Sequence, residues 1–256
     1  MRKIALKLEI LKTIKEFRVK SAPFVSLSLL VIRSLLIQSC SSSEGKLDEG
    51  RALMKQGKFR EAIPALNQAI EADAGNYQAF NTRGVAYFEL KEFPNALLDY
   101  EQAMKLKPEF YQPYYNRGKL KVLQGNSDDA LKDFARAIRM APDTSDIYLD
   151  RGQLFASLGN LTSALVDFDK AIQLDAKSTF AYYNRGNIRF QQEEYEAALQ
   201  DFTKAVELDP KFGKAFYALG ITQIMSTKAD AGCLSLKQAQ RLGYADAAAA
   251  IQQYCQ

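Results

Sequence analysis

Four arginines and four aspartates recur at one offset: Arg83 with Asp99, Arg117 with Asp133, Arg151 with Asp167 and Arg185 with Asp201, each aspartate sixteen residues after its arginine. Carboxylates are raw material for general acid–base chemistry, and a row of guanidinium groups could grip anions. At the two flanking positions of the same spacing both members vanish together, leaving Glu49 with Ala65 and Leu219 with Ser235. Charges that come and go as a pair read as a structural ladder of ion pairs between helices, because a buried charge needs a partner; a ligand-binding ladder is the alternative. The pairing also removes the best candidates for catalytic carboxylates. The rest of the chain offers no reaction centre. It contains no His, which excludes Ser-His-Asp and Cys-His nucleophile systems and the commonest zinc ligand. Cys40, Cys233 and Cys255 are too scattered for a metal knuckle. Gly57-Lys58 and Gly213-Lys214 lack the upstream glycine and the following Ser or Thr of a phosphate loop. The expectation is no catalytic residue, no metal and no cofactor.

The elements that carry these residues repeat every 34 positions. Gly50, Gly84, Gly118, Gly152, Gly186 and Gly220 keep that register, as do Ala62, Ala96, Ala130, Ala164 and Ala198, and Ala69, Ala103, Ala137, Ala171, Ala205 and Ala239. Small residues mark where two helices approach closely, and large ones such as Phe80, Tyr87, Tyr100, Tyr148, Phe155 and Phe168 fill the space around them. Gly57, Gly125 and Gly159 fall where a first helix must stop in a left-handed cap, and Pro94 opens a second helix where no N–H is needed. Each unit is therefore a hairpin that cannot bury its apolar face alone. The fragment Tyr182–Pro210, with the closing Pro108, Pro142 and Pro210 of successive units, resembles the tetratricopeptide repeat. The resemblance covers six units over residues 43–241 and implies an all-α fold: a right-handed superhelical solenoid of helix-turn-helix hairpins. The Ala-rich tail, residues 243–256, looks like its capping helix, with Ile251 and Tyr254 placed to cover the last hairpin.

Residues 1–39 have a different composition and read as an export leader. Arg2, Lys3, Lys7, Lys12, Lys15, Arg18 and Lys20 precede an apolar stretch, Ala22–Ile37, interrupted by serines and Arg33. It ends in Leu36-Ile37-Gln38-Ser39-Cys40, which resembles a bacterial lipoprotein box, so Cys40 is the expected lipidation site and residues 40–46 the tether. A free cysteine after a signal peptide, or an amphipathic targeting segment, is the alternative. The leader holds eight basic and two acidic residues, so the formal +4 of the whole chain becomes 26 basic against 28 acidic residues from Cys40 onward. Nothing there draws nucleic acid, which asks for a concentrated basic face.

Function is left to the inner face of the first helices, which in the family lines a concave groove. Here that face carries Gln78, Asn81, Gln112, Tyr115, Asn116, Lys119, Asp146, Asp150, Gln153, Phe180, Tyr183, Asn184 and Asn187. Amides can satisfy a peptide backbone, and Tyr offers area with a polar tip; an ordinary wetted surface is the other reading. The family's clamp for a terminal carboxylate is not matched, since Tyr115, Leu149 and Tyr183 stand where its lysine would project. Cys233 and Cys255 flank Gly243 almost symmetrically, so antiparallel helices would bring them level, as a disulfide or as two small apolar residues. The expected function is a non-enzymatic scaffold or adaptor that holds a protein or peptide partner, lipid-anchored in a bacterial cell envelope on the non-cytoplasmic side. A regulatory subunit of an envelope protease or cell-wall hydrolase, and an enzyme working with carboxylates alone, are the rivals.

Overall fold

The structure is a computed structural model that describes residues 42–255. The leader and Cys40 lie outside them. All regular structure among the described residues is helical, in two compact units divided in the sequence between Lys107 and Pro108.

The first unit holds α1 (residues 42–55), α2 (Phe59–Ala72), α3 (Tyr77–Glu89) and α4 (Phe93–Leu106). Leu47, Ala62, Leu66, Ala69 and Ala79 form its buried core. Asn76 caps α3 by accepting the Ala79 amide, and its side-chain nitrogen reaches Ser43 Oγ at 2.9 Å, which ties the start of α1 to the start of α3. The ring of Pro94 sits in the first turn of α4, where its missing N–H costs nothing.

The second unit runs α5 (Tyr111–Leu123), α6 (Ser127–Met140), α7 (Ser145–Ser157), α8 (Leu161–Leu174), α9 (Thr179–Gln191), α10 (Tyr195–Leu208), α11 (Gly213–Met225), α12 (Ala229–Arg241) and α13 (Ala247–Tyr254). Within it each first helix packs on its own second helix and on the first helix of the next hairpin: α5 meets α7, α7 meets α9 and α9 meets α11. The second helices α6, α8, α10 and α12 do not meet one another among the described residues. The first helices therefore form an inner layer and the second helices an outer one.

One packing device recurs in both units. A ring or Leu from the second helix lies against the glycine of the first, so a Cβ there would meet it: Tyr100 at 2.7 Å from Gly84, and Phe134, Phe168 and Phe202 at 2.8 Å from Gly118, Gly152 and Gly186. These rings are buried almost completely. In the sixth hairpin a glycine, Gly232, replaces the repeat alanine, and the helices close until its Cβ would stand 2.7 Å from the Gly220 carbonyl.

The tail departs from expectation. Its helix is the shorter Ala247–Tyr254, and the residues it buries are Ala247 and Ala250. Tyr254 points outward and Ile251 is half-buried, because the small alanines let α13 lie close on α12. Cys233 on α12 and Cys255 just past α13 are joined by a disulfide.

Candidate functional site

Each arginine of the ladder forms a fork with its aspartate. Arg83 reaches Asp99 at 2.8 and 2.7 Å, Arg117 reaches Asp133 at 2.8 Å twice, Arg151 reaches Asp167 at 2.8 and 2.7 Å, and Arg185 reaches Asp201 at 3.0 and 2.6 Å. The planar guanidinium suits this two-bond geometry. Each pair lies beside its glycine–ring contact, one residue away on both helices. Lys121 adds a bond to Asp133, and Arg189 one to Asp201. Arg83 also bonds Asn67 and Arg185 also bonds Asp169, which links successive hairpins. Rings on the same helix sandwich the cations: Arg83 lies 5.5 Å from Phe80 and 5.9 Å from Tyr87, and Arg151 lies 5.7 Å from both Tyr148 and Phe155. The Asp99 carboxylate lifts the Arg83 guanidinium further above its usual value, chiefly through their hydrogen bonds. With these partners the eight charges are spent on the frame.

The inner face of the second unit has three regions. At α5 and α7, Tyr115 donates a 2.7 Å hydrogen bond to Asp150, and Lys119 lies 5.3 Å from the Tyr115 ring. Burial, and then the neighbouring Asp150, push the Tyr115 phenol far up, so it stays a donor at any working pH. Burial likewise lifts the Asp150 carboxyl above its ordinary 3.8, against the pull of Tyr115 and Lys119 and with a further push from Asp146. Gln112 Oε1 is buried with no hydrogen-bond partner among the described residues.

Between α7 and α9 lies a hollow of about 280 Å³. Gln153, Asn184 and Asn187 line it, with Phe168 and Ile188 behind them. Their three amides make no hydrogen bond to other described residues, so donors and acceptors remain available.

Between α9 and α11 lies a more apolar pocket of about 180 Å³, walled by Tyr183, Phe190, Tyr217, Ile221 and Tyr244, with Asn187 and Lys214 at its edges. Asn187 belongs to both hollows. The Tyr217 and Tyr244 rings lie 4.9 Å apart, tilted by 44°, and the Lys214 ammonium sits 5.5 Å from the centre of the Tyr183 ring.

Two residues expected to face a partner do not. Tyr183 keeps only 8% of its surface, because Phe212 from the turn before α11 packs on it at 4.9 Å and Phe202 at 5.9 Å. Asn81, in the first unit, is also buried. Phe180 is exposed but set edge-on to Phe212 at 5.4 Å, and Asn116 and Gln78 are partly exposed on α5 and α3. Sequence reasoning missed Lys214, Tyr217 and Ile221, although they lie 34 residues after Phe180, Tyr183 and Asn187 and the repeat spacing reaches them. Tyr244 had no such signal, since it follows the last hairpin.

A family model described as tetratricopeptide repeat matches residues 47–109 and 115–179, and a second of the same description matches residues 179–212. No curated protein matches. Among solved structures, PilF of Pseudomonas aeruginosa superposes with a TM-score of 0.75 at 16% identity, over 80% of this chain and 93% of that one. YrrB, described as a TPR protein with an unusual peptide-binding site, gives 0.61 at 22% identity over 74% and 98%. A thermophilic TPR protein of Thermus thermophilus gives 0.58 at 18% identity over 72% and 100%. At such identities the likeness concerns the fold.

Proposed function

The chain belongs to the tetratricopeptide-repeat family, whose stacked hairpins serve as protein-interaction scaffolds, and from that premise we propose that it is a non-enzymatic adaptor that holds an extended segment of a partner protein along α7, α9 and α11. One observation carries this reading. The amides of Gln153, Asn184 and Asn187 stand around an open hollow with their hydrogen-bonding capacity unspent, while the ladder arginines and aspartates are bonded to each other. An extended peptide presents donors and acceptors that such amides can meet.

The adaptor works at a bacterial envelope membrane, attached through a lipid on Cys40 once residues 1–39 are removed. The basic-then-apolar leader ending in Leu36-Ile37-Gln38-Ser39-Cys40 supports this. So does the Cys233–Cys255 disulfide, which suits an oxidising compartment.

Crosslinking and capture with the full chain from a detergent-solubilised envelope tests both parts. The triple variant Gln153→Ala, Asn184→Ala, Asn187→Ala is expected to capture its partner about five- to ten-fold less well, the loss of one or two net hydrogen bonds, with an unchanged helical melt. Lys204→Ala with Glu207→Ala, on the outer layer, should capture normally. Full capture by the triple variant would move the site elsewhere. Labelled fatty acid should mark the wild type and leave Cys40→Ala unmarked; equal labelling of both would end the anchoring reading.

A further inference from the structure

The pocket between α9 and α11 has a chemistry of its own. Its walls are the rings of Tyr183, Phe190, Tyr217 and Tyr244 with the branched Ile221, and its volume of about 180 Å³ suits one bulky side chain rather than a whole small molecule. Its one cationic lining residue, Lys214, is exposed and forms no ion pair with any described residue; its ammonium lies only against the face of Tyr183. Burial, and then a nearby carboxylate, Asp246, raise the Tyr244 and Tyr217 phenols, and Asp246 forms no ion pair with Lys214. An unspent cation therefore stands beside an aromatic hole, and the shared wall at Asn187 leads from that hole into the amide-lined hollow.

We propose that this pocket is a specificity site for an internal partner segment in which a large apolar residue is separated by one residue from Asp or Glu, the apolar side chain entering between Tyr217 and Tyr183 and the carboxylate meeting Lys214. The inference rests on the groove reading above and adds the partner's chemistry to it. Successive side chains of an extended strand point to opposite faces, and residues two apart share a face. A residue seated in the pocket thus turns its immediate neighbours away from the protein, and the residues two positions before and after it return to the side where Lys214 stands at the pocket's edge. Charge decides what that second residue can be: a carboxylate is attracted, an amide is indifferent and an ammonium is repelled.

The test uses the full chain in detergent on an array of N-acetylated, C-amidated decapeptides of Gly and Ser. Each carries one Phe or Leu, with Glu, Gln or Lys two positions before or after it. Wild type is expected to prefer Glu over Gln by about three- to five-fold, the size of a partly exposed ion pair, to bind Lys least, and to lose part of this ranking in high salt. Lys214→Glu alters an exposed side chain and should reverse the ranking toward Lys. Tyr217→Ala should lower binding to every spot. A ranking that Lys214→Glu leaves unchanged would overturn the proposal, and so would a strand that binds without its Phe or Leu. Binding only to peptides with a free C-terminal carboxylate would also overturn it. If binding ignores Lys214 but still falls in the Gln153, Asn184, Asn187 triple variant, the groove stands and only the acidic specificity is lost. If it ignores all of these positions, both readings fall.

Discussion

Asp167 exposes only 3% of its side chain and is held by two bonds from Arg151. Truncating the arginine would leave a buried carboxylate alone, so Arg151→Ala is expected to cost about 3–4 kcal/mol in a urea melt. Arg151→Ala with Asp167→Ala should recover much of that loss; purely additive losses would show that the two residues are not coupled. Asp150 behaves differently. Its counterparts one repeat away on either side are Asn116 and Asn184, so a carboxylate here is a local choice. Burial lifts its pKa above 3.8, which means the folded chain holds that proton more tightly than the unfolded one. Stability contributed by this group is therefore greatest at low pH and falls as pH rises from about 3.8 through the folded value. Asp150→Asn should be flat over that window and more stable than wild type at pH 7, by about 1 kcal/mol, with the gap closing toward pH 3. A less stable variant at pH 7 would mean that the Tyr115 bond to the carboxylate outweighs burial.

At the level of the helix, the turn inside each hairpin needs one residue with positive φ. Gly57, Gly125 and Gly159 supply it at 73°, 76° and 77°, and the same register position in the other hairpins is taken by Lys91, Glu193 and Thr227 at 61°, 61° and 63°. The glycines were legible in the sequence. The other three were hidden, because a backbone angle imposed by the repeat does not dictate the side chain that bears it. Thr227 is the least suited, being β-branched. Thr227→Gly is expected to raise stability by about 1 kcal/mol, the left-handed penalty less the entropy that glycine adds to the unfolded chain; a fall would mean that the bond from Thr227 Oγ1 to the Ser226 carbonyl matters more. The site was legible to a similar depth. Spacing identified the inner-face positions on α7 and α9, but which of them face solvent depends on neighbours that come from turns, as Phe212 does when it covers Tyr183. Tyr244 enters from beyond the last hairpin and follows no period at all.

For the chain as a whole, the two units each carry their own core, and the second one ends in a tie. Cys233 and Cys255 enclose a sequence separation of 22, and α13, with only Ala247 and Ala250 buried, has little else to hold it. Reduction is expected to destabilise the end of that unit by about 3 kcal/mol and to speed amide exchange in α13 while α5–α8 stay protected. Cys255→Ser should match the reduced protein and ignore reductant; unchanged exchange in α13 would show that its packing suffices. The ladder has a different reach. Every arginine–aspartate fork and every glycine–ring contact closes within sixteen residues, inside a single hairpin. A break between hairpins severs none of them, whereas losing or gaining a few residues inside one parts both at once. Unequal recombination that adds or drops a whole 34-residue copy would leave each remaining copy its own fork and glycine–ring contact, at the cost only of bonds between hairpins such as Arg83 to Asn67 and Arg185 to Asp169, so copy number can change without breaking the frame while single inner-face positions drift.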